Sequence, residues 1–320
     1  MGPVKETVEY CIRIFIAALI LTFAPLATAN VCPPDRGIAV QVLGSGGPVA
    51  DDGRASSGYI VWSDGKSRVL IDAGGGTLLR FAEAGADFRD LEFIGLSHFH
   101  ADHAADFPAL LKSGNFSGRS REIIVAGPDG RGQFPGLSQF LSRLLDPETG
   151  AFAYLGGYLD GSAGLPKIAA FEIDSANIDA VRVLDDEAGE LQIDALHVPH
   201  GIVPALAFRV RIGQSMVVFA SDQNGDNDEF ANFAKDADVL VMHMPVPEGV
   251  TGTGRRLHAP PSVLGEIADR ADPELLVLSH FMERSLRDLE QNVNRVRSRF
   301  SGTISIADDL ACYRISDQEQ

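Results

Sequence analysis

Apolar residues occur along this chain in short runs separated by glycine and polar turns, a pattern of many strands. Residues 38–43 read as a first strand. The turn after it, Gly44-Ser45-Gly46-Gly47-Pro48, lacks G-x-G-x-x-G and a following lysine, so it reads as a tight turn near an active site rather than a phosphate loop. Residues 57–62 and 68–72, joined by Ser63-Asp64-Gly65-Lys66, predict a hairpin. Asp72-Ala73-Gly74-Gly75-Gly76 then leads into a helix over 77–84, 91–96 reads as a buried strand, and 104–111 as the start of a helix. Further strands are predicted over 122–128, 170–183, 190–198, 205–212, 216–220, 239–242, 275–279 and from Thr303, with helices over 136–145, 229–237, 261–271 and 285–300. Each half shows strands followed by strand–helix alternation, which fits two sheets packed face to face with helices outside. Residues 129–167 break the pattern, with Phe152, Tyr154, Leu155, Tyr158 and Leu159 spread among glycines. Such a stretch either covers a site or packs on the core.

Composition adds two expectations. A net charge of −17, with no Lys/Arg-rich patch, disfavours nucleic acid as a partner, because a polyanion needs clustered cations, and points instead to a small substrate. Residues 14–21 are almost unbroken apolar, continuing to Phe23, and Ala27-Thr28-Ala29 follows before Asn30. That reads as an export signal over 1–29 and a mature domain over 30–320, periplasmic or secreted, although Lys5 and Arg13 are offset by Glu6 and Glu9. The run is short for a span, so no membrane-spanning segment is expected after cleavage. Cys32 precedes the first strand and Cys312 lies in the last, leaving either a staple between the ends of the domain or two free thiols.

The chemistry concentrates in Ser97-His98-Phe99-His100-Ala101-Asp102-His103, which puts four metal-ligand side chains on one strand-to-helix turn. Imidazoles with a carboxylate suit Zn²⁺ and similar divalent ions. His200, Asp222 and His280 each end an apolar strand, as His98 does, so all project toward one shared rim. Asp72 orders its own turn and can hydrogen-bond around the ligands. His197, three residues before His200, faces the other side of its strand and reads as structural, and His243 as a partner of the site or part of the core.

The H-x-H-x-D-H motif with His200, Asp222 and His280 resembles the metallo-β-lactamase superfamily over nearly all of the mature chain. Within it the chain is most similar to the tRNase Z branch, which includes some phosphodiesterases and arylsulfatases. The similarity rests on Gly44-Ser45-Gly46-Gly47-Pro48 with Ser56-Ser57, on His258-Ala259-Pro260-Pro261 after Met242-His243-Met244-Pro245, and on Ser279-His280-Phe281. The resemblance implies an α/β fold, the four-layer αβ/βα sandwich, with two divalent ions: Zn²⁺ first, Mn²⁺ or Fe²⁺ as alternatives. His98, His100 and His200 would hold one ion, Asp102, His103 and His280 the other, and Asp222 would bridge them. A hydroxide between the ions would be the nucleophile, with Asp102 and His258 as catalytic residues. Two departures matter. Met244 stands where that branch carries the Glu that orients its proton-shuttling histidine, and the candidate site-covering insertion 129–167 is apolar where RNA-processing members carry a basic arm. The expectation is therefore an exported binuclear hydrolase of a small phosphodiester or sulfate ester. The alternatives are a lactonase or β-lactamase, a tRNA 3′-processing endonuclease, and a metal-binding protein without turnover; a homodimer is left open.

Overall fold

The computed structural model describes Cys32 and residues 36–177, 179–186 and 189–315. The expected export signal lies outside the described residues. Among the described residues no helix is long and apolar enough to cross a membrane.

The first half of the chain supplies β1 (Ile38–Gly44), β2 (Gly58–Ser63), β3 (Lys66–Ile71), β4 (Phe93–Gly95), β5 (Ile123–Pro128) and β6 (Ile168–Ile173). The second half supplies β7 (Val181–Asp185), β8 (Leu191–His200), β9 (Val203–Ile212), β10 (Ser215–Phe219), β11 (Val239–His243), β12 (Leu275–Ser279), β13 (Thr303–Ile306) and β14 (Cys312–Ile315). They form two seven-stranded sheets, ordered β14-β1-β2-β3-β4-β5-β6 and β13-β12-β11-β10-β9-β8-β7. In each, β3 to β6 and β10 to β13 run parallel, while the remaining neighbours are antiparallel. The inner parallel strands β4, β11 and β12 are continuous apolar runs, as burial on both faces requires. The hairpin between β2 and β3 turns through Asp64 and Gly65, both at positive φ, the two-residue geometry that suits strand twist.

Valines and isoleucines of the two inner faces meet around Tyr59, Phe93, Phe208 and Phe219. The outer face of the first sheet is covered by α1 (Thr77–Glu83), α3 (Phe107–Gly114) and α4 (Leu137–Leu145), after the single-turn α2 (Ala101–Ala104). The outer face of the second is covered by α6 (Glu229–Phe233), α8 (Pro261–Ala271) and α10 (Leu289–Arg297). Two short helices lie between these layers' elements in sequence, α5 (Gly157–Asp160) and α9 (Glu283–Leu286), and α7 (Gly252–Leu257) stands at the end of the second sheet. The result is the αβ/βα sandwich that the resemblance implied.

Three expectations change. The strand predicted over 170–183 is two strands in different sheets. Asp174 Oδ1 accepts the Ala176 amide at 2.8 Å, and that local turn breaks a pattern whose alternation continues across it by coincidence. The helix predicted over 285–300 divides at Asp288, whose backbone is not helical, and Asn292 Nδ2 ties the two pieces by donating to Ser285 O at 2.9 Å. The helix α7 lies in a stretch without apolar periodicity, and none of its residues is buried. Within 129–167, α4 and Tyr158 pack on the first sheet, and Tyr158 donates to Leu111 O at 2.7 Å. Phe152 and Tyr154 gather around Lys112 and Phe116 on the helix side, while only Phe134 stands beside a motif histidine, 6.1 Å from the His100 ring.

Cys32 and Cys312 form a disulfide across 280 positions of sequence. In the chain-entropy model so long a loop gives on the order of 4–5 kcal/mol. The double variant Cys32→Ser/Cys312→Ser is expected to lose roughly 2–5 kcal/mol in urea unfolding of the non-reduced protein. A midpoint equal to that of the parent would show that the bond does not constrain the unfolded chain.

Candidate metal centre

All the candidate ligands stand at one end of the sandwich because each follows the carboxyl end of a strand or opens a helix after one. His98 and His100 lie in the loop after β4, and Asp102 and His103 in α2. His200 ends β8, Asp222 follows β10, and His280 follows β12. Three residues at these strand ends, Asp72 (φ 61°), Ser221 (φ 56°) and His280 (φ 56°), adopt the left-handed conformation, which costs an L-residue roughly 1–2 kcal/mol and turns the chain sharply at the site. The Gly-rich turns permit close approach. A Cβ on Gly74 would sit 2.1 Å from Asp102 O, and one on Gly47 3.0 Å from His280 Cε1.

The ligand atoms form two groups joined at one carboxylate. His98 Nε2 lies 3.0 Å from His100 Nδ1, and His98, His100 and His200 together can enclose one ion. His280 Nε2 lies 3.1 Å from His103 Nε2 and 3.2 Å from Asp102 Oδ2. Asp222 Oδ2 stands between the groups, 3.6 Å from both His103 Nε2 and His200 Nε2, while Oδ1 is 3.4 Å from His280 Nε2. Ligands about 2.0–2.2 Å from one ion in tetrahedral array are separated by about 3.3 Å, so these spacings are those of coordination edges.

The partners behind the ligands set which nitrogen faces inward. Asp72 Oδ2 accepts from His103 Nδ1 at 2.7 Å, and its Oδ1 accepts the Ser97 amide at 2.7 Å. His200 Nδ1 donates to Leu257 O at 2.8 Å, leaving Nε2 buried without a partner. Burial, with His103 and His200 nearby, holds the His98 ring well below its ordinary pKa, and burial also lowers His100 and His200, so these imidazoles present lone pairs. Burial would lower His103 too, but Asp72 and Asp102 outweigh it and raise it well above its usual value. The space between those carboxylates therefore favours positive charge.

The residues fit divalent ions on a second count. Asp72, Asp102 and Asp222 are all buried, yet among the described residues their ion-pair partners are histidines only, with no Lys or Arg. Buried carboxylates need compensating cations. The orphaned His200 Nε2 and these three acids together call for cationic charge at the point where the ligand groups meet.

The seven candidate ligands read from the sequence are brought together here. His258, at the C-terminal end of α7, joins them with Nδ1 3.8 Å from Asp222 Oδ2 and no hydrogen-bond partner. Met244 is buried and offers His258 no acceptor; the ring is held by packing, 5.1 Å from the His200 ring and 6.1 Å from that of His280. His197 stays out of every ligand group among the described residues. His243 takes the first of its two expected places, donating from Nδ1 to Asp222 Oδ1 at 2.7 Å. Its partner Tyr59, with the hydroxyl 3.0 Å from His243 Nε2, is a residue the sequence left among ordinary core aromatics. The signal available was alternation, which puts Tyr59 on the inward face with Val61 at the end of β2 nearest the site.

Fold and cage define a metal-dependent hydrolase of the metallo-β-lactamase type. The family model described as "Beta-lactamase superfamily domain" matches residues 67–281, and the chain belongs to that superfamily, in its tRNase Z branch. Ribonuclease Z of Methanosarcina mazei is 24% identical over 297 residues, 85% of this chain and 96% of that protein. Ribonuclease Z of Clostridium novyi is 27% identical over 175 residues, and this match spans 55% of the chain and about half, 51%, of that relative. The crystal structure of human tRNase Z, short form, superposes with a TM-score of 0.66 at 18% identity, covering 87% of this chain and 99% of that one.

These relatives correct three expectations. An exported hydrolase of a small phosphodiester or sulfate ester does not stand against relatives named for cleaving RNA, and neither does the exclusion of nucleic acid. The exclusion used the charge of the whole chain, and that sum does not describe the field at the site. Exposed Arg131, Arg256 and Arg284 stand on segments bordering the ligands, and dications would add charge inside. The periplasmic or secreted placement falls with the same comparison. It rested on the apolar run 14–23, whose flanking charges nearly cancel.

Proposed function

We propose that this protein is a metal-dependent endoribonuclease that cleaves a phosphodiester bond of RNA, with the 3′ end of precursor tRNA as its first candidate substrate. The observation that carries the reading is the pair of ligand groups sharing Asp222 around buried acids that have no Lys or Arg partner. His98, His100 and His200 would hold one divalent ion, and Asp102, His103 and His280 the other, with Asp222 between them; zinc suits this donor set first. Two such ions, when bound, supply Lewis acidity and an activated water for an in-line displacement at phosphorus.

The chain's own residues do the rest. Asp72, Ser97 and the Leu257 carbonyl fix the ligand rings from behind, so that the centre is organised before substrate arrives. Asp102, whose carboxylate is 3.2 Å from His280 Nε2 at the edge of the cage, accepts the proton of the attacking water. His258 faces the centre from α7 with a free Nδ1 and delivers a proton to the departing ribose oxygen. The exposed arginines at the border receive the flanking phosphates, which carry no sequence information themselves.

A 3′-extended tRNA transcript, incubated with the zinc- or manganese-loaded protein, is expected to be cut at one position near the end of the acceptor stem. Protein that holds two ions and leaves every RNA tested intact would overturn the reading.

A further inference from the structure

Behind the bridging carboxylate lies a row of buried polar groups that the proposed reaction does not use. Asp222 Oδ1 is 2.7 Å from His243 Nδ1, His243 Nε2 is 3.0 Å from the Tyr59 hydroxyl, and that hydroxyl is 3.0 Å from Ser279 Oγ. None of the four is more than 5% exposed. The row crosses the sandwich: Tyr59 belongs to β2 of the first sheet, while Ser279 and His243 pair in register on β12 and β11 of the second. His243 is also stacked on the His280 ring, with centroids 4.5 Å apart, and Tyr59 packs against Phe219 at 5.5 Å.

The direction of each proton follows from the acceptor at the end. An ionised carboxylate can only accept, so the proton of His243 must sit on Nδ1. The ring is therefore held at both nitrogens, Nδ1 against Asp222 Oδ1 and Nε2 against the Tyr59 hydroxyl. The Tyr59 hydroxyl in turn donates to Ser279 Oγ at 3.0 Å. Without the Tyr59 oxygen the ring loses its anchor on the side away from Asp222 and is free to turn from Oδ1.

We infer that Tyr59 is a positioning residue for the bridging ligand: through His243 it fixes the rotation of Asp222, so that Oδ2 lies midway between the two ligand groups. The distances show that result, with Oδ2 3.6 Å from both His103 Nε2 and His200 Nε2 while Oδ1 is held by His243. The inference rests on the metal centre of the proposed function and needs no particular RNA substrate. Asp72 does the corresponding work for His103, so each side of the cage has its own buried anchor.

The test is Tyr59→Phe in the full chain, which keeps the ring and its packing and removes only the hydroxyl. Affinity for zinc is read by competition with a chromophoric chelator, and the ligand field by the visible spectrum of the cobalt-loaded protein. The expected result is about 10-fold weaker binding of at least one ion, in the range found for partners of metal ligands, with an altered cobalt spectrum and a thermal midpoint of the metal-free protein close to that of the parent. Ser279→Ala, which removes the acceptor of the Tyr59 hydroxyl, should shift both readouts in the same direction by a smaller amount, and it serves if Tyr59→Phe does not fold. Unchanged affinity and spectrum in a folded variant, beside a parent that binds two ions, would overturn the role of Tyr59 alone. A parent that binds no ion would overturn the metal centre and this inference together.

Discussion

Asp222→Ala is expected to yield a protein that binds neither ion at stoichiometric level and cuts precursor tRNA no faster than a protein-free control. Two effects combine. The carboxylate stands 3.6 Å from a ligand nitrogen of each group, so its removal takes one ligand from both positions. Structural zinc sites with four ligands bind with apparent energies of about 10–16 kcal/mol, so one ligand represents roughly 3 kcal/mol, or about a hundredfold in affinity, at each ion. The two losses compound, because an in-line displacement at phosphorus uses both ions at once. The variant also leaves His243 Nδ1 without its acceptor and takes from His200 the carboxylate 3.6 Å from its Nε2, while His103 and His280 keep Asp102. Elemental analysis after dialysis reports the metal content, and a gel assay on a 3′-extended transcript reports cleavage. A variant that keeps both ions and appreciable activity would remove Asp222 from the bridge. His98→Ala differs usefully, since that side chain serves one group only and should spare the ion held by Asp102, His103 and His280.

The candidate cage was legible in the sequence for a physical reason. Metal ligands are rare polar residues placed where an apolar strand stops, and His98, His200, Asp222 and His280 all carry that mark. The two packed sheets followed equally from strands that give way to strand–helix alternation in each half. Two kinds of information were missing. The first was local geometry that overrides alternation, as at Asp174, where a side chain captures a backbone amide and sends the chain from one sheet to the other. The second was the polar lining of the core. Tyr59 and Ser279 sit among Val, Ile and Leu on strands that read as plain core, and only the pairing of β11 with β12, and the packing of β2 across them, shows that both hydroxyls reach His243. Substrate class was hidden for a third reason. Net charge sums over a surface on which most charges never meet a substrate, whereas the phosphate of the proposed RNA would meet the few arginines at the rim and the cations the buried acids would hold.

Removing the imidazole at position 258 should separate proton delivery from metal binding. His258 Nδ1 is buried, unpartnered and 3.8 Å from Asp222 Oδ2, and its ring is wedged beside those of His200 and His280. Burial pushes that ring down to about 3 before any ion or phosphate is present. The dianionic transition state of phosphodiester cleavage brings the negative charge that makes a proton on this nitrogen favourable, so the proton is needed where the leaving oxygen departs. His258→Ala is therefore expected to keep two ions per chain and to lower kcat on precursor tRNA by roughly 10²–10⁴-fold, with little change in KM. An aryl phosphodiester used as a probe, whose phenolate departs without protonation, should lose far less with the same variant, because the step that His258 assists is absent. The ratio of the two losses measures the donor role directly. Equal losses on both would assign His258 to holding the centre together, and a drop in metal content would make it a ligand. Met244 sharpens the expectation: with no carboxylate behind the imidazole, its orientation depends on the neighbouring rings and on the Gly254 carbonyl that accepts the His258 amide at 2.9 Å. Shortening α7 at Gly254 should then lower kcat on RNA while leaving the aryl reaction nearly intact.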